Sequence, residues 1–132
     1  MRLTKNFTLK EMGCKCGNCE IPKEVLPNIQ KLANQLQVLR TATEQPIRIN
    51  SAYRCEEHNE KIGGSKNSQH LLGKAADITI DNFIPIEVNS LIEVFINSGN
   101  ILQGGLGVYD TFTHYDIRKT KARWNHQKNQ PI

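Results

Sequence analysis

Three residues of this chain have the types and the spacing of ligands in a catalytic metal site. His70 and Asp77 lie seven residues apart in the segment SQHLLGKAAD, and His114 follows in the segment FTHYD. Two imidazoles and one carboxylate form a three-ligand set for zinc, which in enzymes keeps a fourth position open for water. Asp77 also lies in an apolar segment, where burying a carboxylate is costly without a cation or strong donors. The alternative is that Asp77 accepts hydrogen bonds from Ser68 or from backbone N–H groups, and spacing alone does not decide between them.

The cysteines form a second group of candidate ligands. Cys14, Cys16 and Cys19 lie in the segment CKCGNC, and the fourth cysteine is Cys55. Such tight clustering favours metal binding over separate disulfide bridges. Three interpretations remain open: a four-thiolate structural zinc site, one or two disulfides, and free thiols in a reducing compartment.

The length and composition predict one ordinary globular domain spanning residues 1–132. The chain has 132 residues, of which 38% are hydrophobic and 23% charged, and this suits a single core. No apolar run approaches the length of a membrane span. Residues 1–6 lack the apolar region of a secretory signal peptide. A protein released by another protein and a trimmed secreted protein both fit this start, so the location stays open, and we expect a monomer.

The net charge of +4 does not by itself indicate a nucleic-acid partner. The basic residues concentrate mildly toward the C-terminus, at Arg118, Lys119, Lys121, Arg123 and Lys128. A nucleic-acid interface would add aromatic residues for base stacking, and no such array accompanies them. We therefore interpret these residues as a solvated surface and predict no nucleic-acid partner.

Four segments have helical patterns. Thr8 and Glu11 form a capping box that predicts a short helix before Gly13. Apolar residues at spacings of three and four predict a long amphipathic helix that ends near residues 40–43. Residues 56–61 predict a short helix, and Pro85 and Gly99 delimit another. The apolar stripe of the long helix consists of Val25, Ile29, Leu32, Leu36 and Leu39.

The strand patterns predict an α+β domain with a small, mainly antiparallel sheet. Strands are predicted within residues 46–51, 74–80, 102–109 and 112–117. In the last of these, alternation places His114 and Asp116 on the same face. The chain after Trp124 is polar, and we predict a loose tail there after about residue 125.

Taken together in order, these segments resemble the M15 family of zinc peptidases. The similarity extends from about Phe7 to Trp124 and is greatest toward the branch of zinc D-alanyl-D-alanine carboxypeptidases and phage wall-lytic peptidases. The hedgehog signalling domain shares that fold, which is the fold expected here. The matching segments are RINSAYRC with His58 and Asn59, Gly63-Gly64, the S-x-H-x-x-G-x-A-x-D motif of residues 68–77, and HYDIR from residue 114.

The resemblance implies roles for the metal ligands and for one arginine. His70, Asp77 and His114 would bind Zn²⁺, which activates a water molecule near neutral pH. Arg54 stands where the family has an arginine that contacts substrate. Its guanidinium would grip a peptide carboxylate or stabilise an oxyanion, whereas the alternative is a surface ion pair with the adjacent glutamates 56 and 57.

Ser68, Gly73 and Tyr109 complete the expected site. We expect Ser68 to hydrogen-bond the substrate backbone or a metal ligand. Gly73 would allow a turn that a side chain would block. Tyr109 leads into the site and is either a substrate-contacting phenol or a packing residue.

The general base is the least defined part of this interpretation. Many relatives carry an acidic residue three positions before the last zinc histidine, and this chain has Thr111 there. Asp116 shares a face with His114 and is the preferred candidate, and Asp110 at a turn is the second. The alternatives for Asp116 and Asp110 are a salt bridge with Arg118 and a turn-forming role, respectively.

The predicted function is zinc-dependent hydrolysis of an amide bond in peptidoglycan peptides. Candidate bonds are the terminal D-alanyl-D-alanine bond, a cross-link and the L-alanyl-D-glutamate bond. The alternative is a zinc-containing module that binds wall peptides without cleaving them, because no acidic residue occupies position 111.

Overall fold

The protein is an α+β domain with one mixed sheet. The computed structural model describes residues 1–128, so the end of the predicted loose tail, residues 129–132, lies outside the described residues. The three α-helices of this part are α1 (Leu26–Thr43), α2 (Glu56–Lys61) and α3 (Pro85–Asn97). The five strands are β1 (Ile47–Ser51), β2 (Ala75–Ile80), β3 (Gly105–Val108), β4 (Thr113–Asp116) and β5 (Ala122–Asn125). Across residues 1–128, no helix is both long and apolar enough to cross a membrane.

Helix α1 contributes an apolar face to the core, as its sequence pattern predicts. It follows a 3₁₀ helix, Lys23–Val25, and ends where Glu44 adopts a left-handed conformation at φ 56°. Its buried residues recur at helical spacing and join the core that also contains the apolar residues of β2. These buried positions are Ile29, Leu32, Ala33, Leu36 and Leu39.

The predicted helix at residues 8–12 is wrong, although its capping box forms. The Glu11 carboxylate accepts from the Thr8 backbone N–H at 3.0 Å, and Thr8 Oγ1 accepts from the Glu11 N–H at 3.3 Å. The segment nevertheless remains a series of turns. The carbonyl of Met12 accepts from the N–H of Tyr53 at 3.1 Å, so the chain pairs with a distant segment instead of continuing a helix. Phe7 and Met12 are buried by this arrangement.

The sheet order is β1-β2-β4-β3-β5, and it places two of the predicted metal ligands, Asp77 and His114, on neighbouring inner strands. Three of the four strand pairs are antiparallel, which confirms the predicted mainly antiparallel sheet. In the pairing of β2 with β4, Asp77 lies directly opposite His114. The register of β1 against β2 shifts between Ile49 and Ser51. Such a bulge re-aims the following residues, and here it turns the chain toward the site.

Strand β5 was not predicted. It pairs in parallel with β3, with Gly107 opposite Trp124. Its four residues, ARWN, have no clear apolar alternation, and their burial comes from the long-range pairing with β3. The segment that was predicted to loosen after Trp124 is therefore strand through Asn125.

We expect Leu36→Ala to lower the free energy of unfolding by about 2–5 kcal/mol, because it removes a fully buried side chain and leaves a cavity. Leu36 has no exposed surface. Val38→Ala on the same helix is the control. Val38 is 37% exposed, so its truncation should change stability by about 0.5 kcal/mol or less. Denaturant unfolding followed by circular dichroism measures both, and equal losses would contradict the assigned core.

Candidate active site

His70, Asp77 and His114 converge at one buried point. Their exposed fractions are 3%, 6% and 7%, and their potential ligand atoms all lie within 4.8 Å of one another. Asp77 Oδ1 lies 3.3 Å from His70 Nε2 and 3.0 Å from His114 Nδ1. The three side chains thus present two nitrogens and a carboxylate to the same small volume.

A short 3₁₀ helix, Gln69–Leu72, delivers His70 to this point. Ser68 caps the helix, because its Oγ accepts from the His70 backbone N–H at 3.1 Å. Gly73 ends it at φ 71°, and a Cβ at this position would press against the side chains of Ile29 and Val25. Gly73 is therefore required both by its backbone conformation and by its packing against α1. The expected role of Ser68 at a substrate remains a prediction, since the structure uses this hydroxyl to hold His70.

Each imidazole ring makes a second hydrogen bond on the side away from Asp77, and this bond defines which ring nitrogen carries the proton. His70 Nδ1 lies 2.6 Å from the carbonyl oxygen of Ala52, and a carbonyl only accepts, so Nδ1 carries the proton. His114 Nε2 lies 2.7 Å from Asp116 Oδ2 and donates to it. In both neutral rings, the nitrogen that faces Asp77 is therefore an acceptor. Three acceptors at one point require a cation or a proton between them.

The pKa values describe the same electrostatic balance. Burial alone would raise the pKa of Asp77, but the neighbouring His114 and His70 rings outweigh it and hold that pKa well below its usual range. Burial would lower the pKa of His114, yet hydrogen bonds with Asp116 and Asp77 raise it. A proton on His114 would satisfy the cluster without a metal. A bound cation would replace that proton, which is how metal binding and proton release are normally linked.

Arg54 neutralises the other side of Asp77. Its Nη2 donates to Asp77 Oδ2 at 3.2 Å, its Nε donates to Ser51 at 3.0 Å, and its Nη1 donates to Asn59 at 3.1 Å. The side chain is 12% exposed. Burial lowers the pKa of Arg54, but a guanidinium stays charged at physiological pH. Among the described residues its ion-pair partner is Asp77, so the surface pair with an adjacent glutamate is wrong.

Asp116 lies behind His114, on the side away from Asp77. It has no exposed surface. Its Oδ1 accepts from the Gly105 N–H at 2.9 Å, and both its oxygens accept from the Arg118 guanidinium at 2.9 and 2.7 Å. Burial raises its pKa, but the bonds from His114 and Arg118 outweigh burial and hold the pKa well below the usual range. These contacts contradict the expected base role and correspond to a carboxylate that orients a histidine.

The other expected base, Asp110, points elsewhere. Its side chain is exposed, and Oδ1 accepts from the backbone N–H of Lys128 at 3.0 Å. Within residues 1–128, Asp110 and Thr111 are not among the residues that line the cavity at the cluster. Tyr109 does line it, and its hydroxyl accepts from the Trp124 indole N–H at 2.9 Å.

A cavity of about 550 Å³ opens over the cluster. The loop at residues 63–69 forms one wall, and residues at the ends of β3, β4 and β5 form the other. The indole of Trp124 packs 5.1 Å from the His114 ring, and a Cβ on Gly107 would overlap that indole. The aromatic and cationic side chains in the lining are Arg54, Tyr109, Phe112, Arg118, Trp124 and His126.

Sequence reasoning missed His126 as a residue of this site, and it named Asn59 only within a matching segment, without a role. His126 follows β5, and its ring packs 5.2 Å from that of Tyr109. Predicting β5 and its parallel pairing would have brought His126 to the cavity. Asn59 is buried and holds Arg54, and its place at the fourth position of α2 gives no local indication of that contact.

Two imidazoles oriented by acceptors, a buried carboxylate and an adjoining cavity define a metal-dependent hydrolase site. The Peptidase M15 family model matches residues 5–116, most of the chain. The chain therefore belongs to the peptidase M15 family, and it is a metallopeptidase that acts on a peptide substrate. Comparison with curated proteins gives no match.

We expect Asp116→Asn to weaken Zn²⁺ binding about 10- to 100-fold, because His114 loses the charged acceptor that orients it. Competition with a chromophoric chelator measures the affinity, and circular dichroism checks that the variant is folded. Asp110→Asn is the matched control and should leave the affinity unchanged. Unchanged affinity in a folded Asp116→Asn protein would contradict the orienting role.

Proposed function

We propose that this M15 peptidase is a zinc enzyme that hydrolyses an amide bond in peptidoglycan peptides. The observation that carries the proposal is the convergence of His70 Nε2, Asp77 Oδ1 and His114 Nδ1, each an acceptor, at one buried point. Two imidazole nitrogens and one carboxylate oxygen suit Zn²⁺ better than Mg²⁺ or Ca²⁺, which prefer oxygen ligands. Three protein ligands also leave a position for water or substrate.

The residues of the chain would divide the work around that ion. His70, Asp77 and His114 would hold Zn²⁺, which supplies an acidified water and a Lewis acid for the scissile carbonyl. Ala52 and Asp116 keep the two imidazoles in the required tautomers. Burial of the cluster excludes bulk water from the ligands and strengthens the local electrostatics.

Arg54 and the aromatic wall would bind the peptide. The contacts of Arg54 use three of the five N–H groups of a guanidinium, and the remaining two suit a substrate carboxylate or a developing oxyanion. Peptidoglycan peptides carry such carboxylates at their D-alanyl termini and on D-glutamate. Tyr109, Phe112 and Trp124 supply flat apolar surface along the opposite wall. This charge and shape support the terminal D-alanyl-D-alanine bond, a cross-link and the L-alanyl-D-glutamate bond as candidates.

His126 is the candidate for proton transfer. Asp116 is occupied by five donors and Asp110 faces Lys128, so neither carboxylate suits this step. His126 lines the cavity outside the ligand cluster, and an imidazole is the commonest general acid or base near neutral pH. The His126 ring packs against the Tyr109 ring, and this contact orients His126 at the cavity wall.

We expect wild-type protein to release peptides from purified peptidoglycan and to lose this activity on chelation. Added Zn²⁺ should restore it, because the ligand cluster re-forms the site. His70→Ala should remain inactive with added Zn²⁺, whereas His58→Ala, on α2 and outside the cavity, should match wild type. Chromatography of the released muropeptides identifies the bond. Tight binding of zinc and wall peptides without any product would instead support the non-catalytic binding module, and activity that survives both chelation and His70→Ala would exclude a metal mechanism.

We expect His126→Ala to lower kcat about 10²- to 10⁴-fold, the usual contribution of a positioned acid or base. Zinc content should stay at the wild-type level, because His126 is outside the ligand cluster. Asp110→Asn is the control and should retain the wild-type kcat. A His126→Ala protein with wild-type kcat would rule out this assignment.

A further inference from the structure

The four cysteines meet at a second point, remote in sequence from the histidine cluster. Their sulfur atoms all lie within 4.8 Å of one another. Cys14 Sγ lies 3.7 Å from Cys55 Sγ, Cys16 Sγ lies 3.4 Å from Cys19 Sγ, and Cys55 Sγ lies 4.0 Å from Cys16 Sγ. All four are free thiols in the structure. The cysteine sulfurs thus bring the N-terminal segment into contact with the start of α2.

These separations are those of a tetrahedral thiolate site. With Zn–S bonds of about 2.3 Å, tetrahedral geometry places neighbouring sulfurs about 3.8 Å apart. A disulfide would bring one pair to about 2.05 Å. The measured distances lie on both sides of the tetrahedral value of about 3.8 Å. All of them are far longer than a disulfide bond, so no pair of sulfurs is bonded.

The backbone around the cysteines is arranged to stabilise negative sulfur. The N–H of Asn18 donates to Cys16 Sγ at 3.3 Å, and the N–H of Cys55 donates to Cys14 Sγ at 3.4 Å. The N–H of His58 donates to Cys55 Sγ at 3.4 Å, so this sulfur caps α2. Thiolates are the form that binds metal.

The loop and its surroundings also fit such a site. Gly17 adopts φ 72° between Cys16 and Cys19, which lets this C-x-x-C segment turn its two sulfurs to one side. Lys15 and Lys61 line the hollow beside the sulfurs, together with Glu57. Four thiolates around Zn²⁺ carry a net charge of −2, and the two ammonium groups partly offset it.

We propose that Cys14, Cys16, Cys19 and Cys55 bind a second, structural Zn²⁺ that clamps the N-terminal segment to the start of α2. Residues 9–22 form no helix or strand, so they have little regular backbone pairing to hold them. The clamp acts next to the catalytic cleft, because Cys55 directly follows Arg54. This second site is separate from the proposed reaction: it holds the N-terminal segment against α2 and takes no part in chemistry.

Metal counting on the full chain tests the proposal. Elemental analysis of wild-type protein should give two Zn²⁺ per chain. His70→Ala should retain one, and the double variant Cys16→Ser/Cys19→Ser should also retain one, because each change removes a different site. The double variant should melt at a lower temperature than wild type. One Zn²⁺ in the wild type that survives in Cys16→Ser/Cys19→Ser would overturn the proposal.

Cobalt substitution gives a readout that does not depend on the variants folding or on activity. Wild-type protein loaded with Co²⁺ should show the intense thiolate-to-cobalt charge-transfer absorption of a four-sulfur site. His70→Ala should keep this absorption even if it has no peptidase activity, which separates the second site from the proposed function. Absence of that absorption would overturn the proposal. Disulfides found by mass spectrometry of non-reduced protein purified with reductant present would overturn it as well.

Discussion

The carboxylate of Asp77 is almost fully buried and faces one nitrogen of each imidazole ring, and the surrounding structure balances its charge. Burying a carboxylate is unfavourable unless cations or donors compensate it. Arg54 supplies one cation at 3.2 Å. Asp77 Oδ1 and the two ring nitrogens still need a positive partner, and either a proton on His114 or a bound divalent ion would supply it.

Acidic groups alternate, outward from this point, with partners that are or can become positive. Arg118, Asp116, His114, Asp77 and Arg54 follow one another through contacts of 2.7 to 3.2 Å. Every acidic group in this chain of contacts lies between partners that can be positive, so the buried charges stabilise one another. The central strands provide the scaffold, because the pairing of β2 with β4 fixes two members of the series opposite each other. The mechanism therefore depends on strand register as much as on side-chain type.

Local patterns in the sequence predict the parts of this arrangement that depend on local structure. The apolar stripe of α1 and the alternation of β2 both follow from the periodicity of a single element, and the ligand types follow from metal chemistry. The sequence did not predict the role of Asp116. Alternation along β4 places Asp116 on the same face as His114, but it does not show on which side of the His114 ring the carboxylate lies. His126 was missed because β5 exists only through pairing with β3. The hydrogen bond from Gly105 to Asp116 likewise comes from the neighbouring strand β3 and has no local signal in the sequence.

The contact between Trp124 and Gly107 indicates that the width of the cleft and the position of the candidate ligands depend on different strands. Gly107 lies between His114 on β4 and Trp124 on β5 in adjacent strand pairs, and the indole fills the space that a side chain would take. Asp77 and His114 lie on the central strands β2 and β4, whereas Trp124 belongs to the edge strand β5. Changes along the edge can thus reshape the width of the peptide channel while the central ligands keep their places. The same scaffold can in this way accept different peptides around an unchanged reactive centre.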